Sequence, residues 1–272
     1  MRLFHLLLSL LLLPGALSAA NLAQERRISE QLVGPELRGQ AHWLKTNGVE
    51  FLAILETSEA NERLGGAILL HDAGDHADAP SLIGPLRRQL AVRGWDTLSV
   101  QLPRPIDPLT SAGHSQVVER GTRRLRAAVD LFKVRGTTPL VLVGHGLGAE
   151  TALAYLAGDP ADDIRTLVAI GLAAGEGEED PVIQNIAKLP RPMLDLYGDR
   201  DRPEVLASAQ ARRGTARRNR REGYRQDRAM GADHHFRGLH ESLLQRIASW
   251  LRRVAVRHTK PAPDPNAIDL RI

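Results

Sequence analysis

Four stretches of this chain carry residue types that could do chemistry. The first is Val141 to Glu150, "VLVGHGLGAE", an apolar run that ends in closely spaced glycines. Such a run suits a strand turning sharply into a helix whose first N–H groups face the turn. Gly144, Gly146 and Ala149 satisfy G-x-G-x-x-G/A, the dinucleotide-binding turn. Gly144 and Gly148 also satisfy the frame of G-x-S-x-G, the nucleophile elbow, with Gly146 at the serine position. The second stretch is Met193 to Asp201, an apolar run leading into Gly198-Asp199-Arg200-Asp201. The third is Gly231 to Phe236, which holds Asp233, His234 and His235. The fourth, His71-Asp72-Ala73-Gly74-Asp75-His76-Ala77-Asp78, places five imidazoles and carboxylates in one loop. Those five could hold a divalent cation and a bound water, although their spacing matches no metal motif.

These loops need strands and helices to position them. Asn47-Gly48 between two extended runs predicts a hairpin from Ala41 to Leu55. Further strands are expected at Gly66–Leu70, Trp95–Leu102, Leu140–Val143, Ile164–Leu172, Met193–Tyr197 and around Tyr224–Met230. Helices are expected at Pro85–Arg93, residues 115–134, Ala149–Leu156, the Arg-rich segment after Tyr197, and Leu239–Val254. Alternating strands and helices imply an α/β fold, a mostly parallel doubly wound sheet with an N-terminal antiparallel hairpin at its edge.

Chain order then separates the two glycine patterns. A dinucleotide turn belongs to the first strand–helix unit of its domain, with an acidic residue about 20 positions later. Here the turn follows several earlier strands, and Asp162 and Asp163 precede the next strand instead of ending it.

The order glycine turn, Asp201, His234 resembles the nucleophile–acid–histidine order of the α/β-hydrolase superfamily. Gly198 to Asp201 looks like the turn that carries that family's acid, and Gly231 to Phe236 like its histidine loop. Leu69-Leu-His-Asp-Ala-Gly74 sits where the family has a His-Gly oxyanion loop. The resemblance runs from about residue 41 to residue 254. It is nearest to an uncharacterised branch of exported bacterial proteins with the same "HDAGDH" loop and Gly94–Pro103 strand. It implies an α/β-hydrolase fold in which Asp201 and His234 hold the catalytic places and the Leu147 N–H is the backbone oxyanion donor. His145, before the nucleophile position, is then a packing or hydrogen-bonding residue. Asp199 and Asp233 stabilise their turns, and His235 is the alternative functional imidazole if the histidine place falls one position later. No cofactor is implied.

The departure is chemical. Gly146 leaves the nucleophile position vacant, the chain has no cysteine, and Ser99, Ser111 and Ser115 fall on other elements. A degenerate hydrolase that binds a ligand is one expectation. An ester or amide hydrolase using an unconventional nucleophile or a metal-bound water is the other. Only about twenty residues separate Gly171 from Met193, so no large lid fits, and an open cleft for a small-molecule or polymeric ligand is expected.

The chain has 272 residues, 43% hydrophobic and 25% charged, enough for one globular domain. Met1-Arg2, the apolar run Leu3–Leu13 and the mostly small residues Ala16–Ala20 have the layout of a secretory signal. The expected organisation is a signal peptide at 1–20, the domain at 21–256, and a flexible Pro-rich tail at 257–272, in a periplasmic or secreted protein. With no cysteine, disulfides and thiolate metal sites are excluded. Residues 211–228 hold eight arginines against Glu222 and Asp227, or +6, so the rest of the +4 chain sums to −2. That run, from Arg212 to Arg228, reads as a solvated helix or as a face for an anionic partner. Its lone aromatic, Tyr224, gives no stacking platform for nucleic-acid bases.

Overall fold

The computed structural model describes residues 14–104 and 111–256. Strands β1 (Gln40–Thr46) and β2 (Val49–Glu56) form the expected hairpin about Asn47-Gly48. They are followed by β3 (Gly65–Leu70), β4 (Trp95–Val100), β5 (Leu140–His145), β6 (Ile164–Ile170), β7 (Met193–Arg200) and β8 (Tyr224–Asp233). The sheet order is β1-β2-β4-β3-β5-β6-β7-β8. β2 is antiparallel to both β1 and β4, and all other neighbours are parallel. This is the expected architecture, and no lid lies among the described residues.

The central strands are buried on both faces, which is why their sequences read as continuous apolar runs. Alternate residues go to opposite sides. Leu140 and Leu142 join Ile68, Leu98, Leu125 and Phe132 in one cluster. Val141 and Val143 join Leu69, Trp95, Val168 and Leu243 in the other. Helices α3 (Ser111–Val134), α4 (Leu147–Ala157) and α5 (Pro181–Lys188) serve the first cluster, while α2 (Ile83–Val92) and α7 (His240–Leu251) serve the second.

Three elements depart from expectation. A helix, α1 (Pro14–Leu32), occupies residues for which no element was predicted and begins inside the signal-like segment. Buried Glu25 receives a hydrogen bond from buried Arg124 of α3, and Arg26 lies over the Trp43 ring of β1. α5 fills the short span between β6 and β7, capped by the Asp180 carboxylate, which accepts from the Val182 and Ile183 N–H groups. The strand expected from about Tyr224 is present, but the reading of the whole Arg212–Arg228 run as one solvated helix does not hold. Helix α6 (Pro203–Arg218) ends inside it, Arg220 takes a positive φ of 51°, and the rest belongs to a turn and β8. Most of the signal-like segment and the 257–272 tail lie outside the described residues. Among the described residues no helix is long and apolar enough to cross a membrane.

Candidate functional site

The parallel strands deliver their following loops to one edge of the sheet, where ligands bind in open α/β folds. The glycine turn between β5 and α4 is an elbow. Gly146 has φ 52° and ψ −116°, a conformation unfavourable for residues with a Cβ. The flanking glycines answer to close packing: a Cβ on Gly144 would lie 2.5 Å from the Ala149 N, and one on Gly148 would lie 2.3 Å from the Leu70 O.

Asp201, after β7, and His234, after β8, meet beside the elbow. His234 Nδ1 lies 2.5 Å from Asp201 Oδ1. Asp201 also accepts from the N–H groups of Arg202 (2.8 Å) and Gly198 (3.2 Å), which fix its orientation. The third member of the cluster comes from the loop after β3. Asp72 Oδ2 lies 3.1 Å from His234 Nε2 and 2.9 Å from Arg202 Nη1, and Asp72 Oδ1 accepts the Leu147 N–H at 2.8 Å. The carboxylate therefore sits at the elbow. A Cβ on Gly146 would lie 1.9 Å from Asp72 Oδ1.

Electrostatics follow from these bonds. Burial disfavours charge on His234, but its bonds to Asp201 and Asp72 outweigh burial and raise its pKa to about 9. With a carboxylate at each ring nitrogen, it is an imidazolium. Burial also opposes charge on Asp72. The hydrogen bond with His234, the Leu147 N–H and the Arg202 guanidinium together hold its carboxyl far below the usual range. Asp201 is lowered in the same way, burial being outweighed by the hydrogen bond and charge of His234. Two carboxylates, one imidazolium and one guanidinium sum to zero.

The neighbouring imidazoles have structural duties. His145 is fully buried, its Nε2 lies 2.9 Å from the His234 carbonyl oxygen, and burial lowers its pKa to about 4. His71 accepts from the Leu102 N–H through Nε2 and bonds the Asp72 carbonyl oxygen through Nδ1, which orients the loop. Burial lowers its pKa to about 4 as well. His235 makes only edge contacts with the other two rings, so His234 is the imidazole of the cluster. Asp199 accepts from the Gly231 N–H, and Asp233 from those of His235 and Arg237, so both stabilise turns.

The loop His71–Asp78 does not assemble five ligands. Asp75 bonds Ser81, His76 accepts the Asp78 N–H, and Asp78 pairs with Arg87 and Arg88. Among the described residues, Asp72, His145 and His234 could hold an ion, their ligand atoms lying within 4.8 Å of one another. Both Asp72 oxygens are already engaged, so an ion would have to displace Arg202.

A cleft of about 840 Å³ is built from neighbouring segments of α3, α4 and the loop after β6, and Asp72, Asp201, Arg202 and His234 are not among its lining residues. Val118 of α3, Ala154 of α4, and Ala173 and Ala174 beyond β6 contribute apolar wall, while Glu150 and Glu204 supply charge. Chemically the cluster holds a proton between two carboxylates, and the expected oxyanion donor is already in use. Sequence reasoning brought Asp201, His234, Gly146 and Leu147 to one place but missed Asp72 and Arg202 as its members.

Residues 12–119 and 110–253 match a family described as "Protein of unknown function (DUF3530)". Solved structures with this fold include Est1E from Butyrivibrio proteoclasticus, at 15% identity and TM-score 0.62, over 78% of this chain and 98% of that one. A dienelactone hydrolase from Anabaena variabilis is 17% identical with TM-score 0.62, over 80% and 98%. XC6422 from Xanthomonas campestris, described as a serine hydrolase without lid, is 16% identical with TM-score 0.60, over 85% and 99%. At these identities the likeness establishes the fold. No curated protein sequence matches the chain.

Proposed function

We propose that this chain, which belongs to the DUF3530 family, is a degenerate α/β hydrolase that binds a ligand without hydrolysing it. One observation carries the reading. The Asp72 carboxylate occupies the space of the missing nucleophile and takes the N–H that would stabilise an oxyanion. The catalytic hydrogen bonds are closed on themselves. The cleft lined by Val118, Ala154 and Ala173 is the place for a small-molecule or polymeric ligand, and the Glu204 carboxylate favours neutral or cationic groups there, Glu150 being paired with His114. The Met1–Ala20 pattern supports export to the periplasm or beyond.

The test is a panel of nitrophenyl esters together with labelling by a serine-directed phosphonate. The expected result is no labelling and no turnover that depends on His234. Turnover that disappears in His234→Ala overturns the binding reading.

The 3.1 Å approach of Asp72 Oδ2 to His234 Nε2 favours a second reading, hydrolysis by a carboxylate nucleophile. The Asp72 carboxylate would then displace the leaving-group anion from the carbon of an alkylating substrate to form an alkyl ester. His234, no longer held as an imidazolium once the Asp72 charge is gone, would release its proton to solvent and take one from the water that hydrolyses the ester. The depressed pKa and burial of Asp72 oppose this role. A covalent adduct on Asp72 in His234→Gln, seen by intact mass, would establish it.

A further inference from the structure

At the opposite edge of the sheet from the Asp72–His234 cluster lies a second concavity, of about 510 Å³. Arg213, Arg217, Arg220, Arg221 and Arg225 line it, with Glu222 as the acidic residue of the lining. Two elements build it. Arg213 and Arg217 are four residues apart on α6, and Arg225 stands near the start of β8. Arg225 and Asp233 are eight positions apart along β8, so roughly 26 Å lies between this cleft and the hydrolase-like site.

The arginines of this segment divide by partner. Arg212 is fully buried and paired with Asp195, Arg218 reaches Glu178, and Arg221 donates to the Ala187 carbonyl oxygen. Arg213, Arg217, Arg220 and Arg225 make no ion pair or side-chain hydrogen bond with a described residue. Like charges one helical turn apart repel, and the helix C-terminus attracts Arg217 but does little for Arg213 or Arg225. The cleft thus gathers five arginines against the single carboxylate of Glu222, and four of the five make no ion pair or side-chain hydrogen bond with a described residue.

We propose that this cleft binds a ligand bearing two or more phosphate groups. Planar guanidinium forks bond phosphate oxygens in pairs, and several forks around one concavity suit a multiply charged oxyanion better than a single carboxylate. The cleft is wide enough for a phosphorylated head group, free or carried by a lipid. This site is independent of what happens at Asp72 and His234.

Two arms separate the sources. Inorganic pyrophosphate is titrated calorimetrically against the purified protein, and co-sedimentation is measured with phosphatidylcholine vesicles with and without diphosphatidylglycerol. Saturable pyrophosphate binding, or vesicle binding that requires the anionic lipid, is expected, weakening as salt rises. The exposed double variant R217Q/R225Q should lower affinity at least about tenfold. The control R27Q/R165Q, with the same loss of charge elsewhere, should stay within about twofold. A second variant, R213Q/R220Q, should repeat the loss if the first fails to fold. Absence of binding in both arms overturns the proposal, as does equal weakening by the control.

Discussion

Asp72 and Gly146 share one volume: a side chain on Gly146 would begin 1.9 Å from the Asp72 carboxylate oxygen. The resemblance to α/β hydrolases expects Gly after the His of the oxyanion loop and Ser at the elbow. This chain has Asp at the first place and Gly at the second, so the two positions have exchanged bulk. Gly146→Ser alone should therefore destabilise the protein by about 1–3 kcal/mol, because the site is already filled. Asp72→Gly with Gly146→Ser should fold better than that single variant and place a hydroxyl beside His234. Labelling by a serine-directed phosphonate, lost on His234→Ala, is the expected readout. A folded double variant that resists labelling would show that the elbow no longer matches the hydrolase geometry.

Asp72 is also one of two carboxylates that hold the His234 proton. Asp72→Asn keeps the shape of the side chain and removes its charge. The His234 pKa should then drop from about 9 by at least about one unit, followed by imidazole NMR. Leu147 N–H should retain its bond to the amide oxygen. A pKa that does not move would mean that Asp201 alone sets the charge of His234.

The buried histidines give the stability profile two opposed limbs. His234 is raised in the fold, so its contribution is complete below the unfolded value near 6.5 and disappears as pH rises through about 9. His71 and His145 are lowered to about 4, so theirs is complete above 6.5 and disappears as pH falls through about 4. Asp72 and Asp201, both lowered, extend the acid limb. Stability should peak near pH 6.5, with each histidine shift worth about 3 kcal/mol over its range. Denaturant titrations from pH 4 to pH 9 would test this, and His234→Gln should flatten the alkaline limb and also reduce the share of the acid limb that comes from Asp72 and Asp201, which lose the partner that lowers them.

Much of this molecule was legible because its determinants are local. The apolar runs at β3, β4 and β5 and the Asn47-Gly48 turn encode strands directly. Gly144, Gly146 and Gly148 mark a turn that tolerates few other residues. Asp72 was visible only as one ligand in an acidic loop, because its role depends on a bond to Leu147, 75 residues away. Arg202 was hidden for the same reason. α1 escaped because its attachment is long-range, through Glu25 and Arg124, 99 residues apart. Within the arginine run, composition does not reveal which guanidinium turns inward.

Arg212 is the one that does, and it separates structure from binding within that run. Its guanidinium lies 2.8 Å from Asp195 Oδ2, both side chains are fully buried, and Ser208 and the Val205 carbonyl take further bonds. Tyr224 and Gln226 donate to the same carboxylate, joining α6 to β7 and β8. Asp195→Asn would leave a buried guanidinium uncompensated, and such losses cost about 3–5 kcal/mol. At about 2–4 °C per kcal/mol for a domain of this size, the melting temperature should fall by roughly 6–20 °C. Exposed Arg217→Gln, five residues further along α6, should change stability by less than about 0.5 kcal/mol. Calorimetric scans of the two variants side by side would test the division, and equal losses would mean that the pair does not anchor the helix.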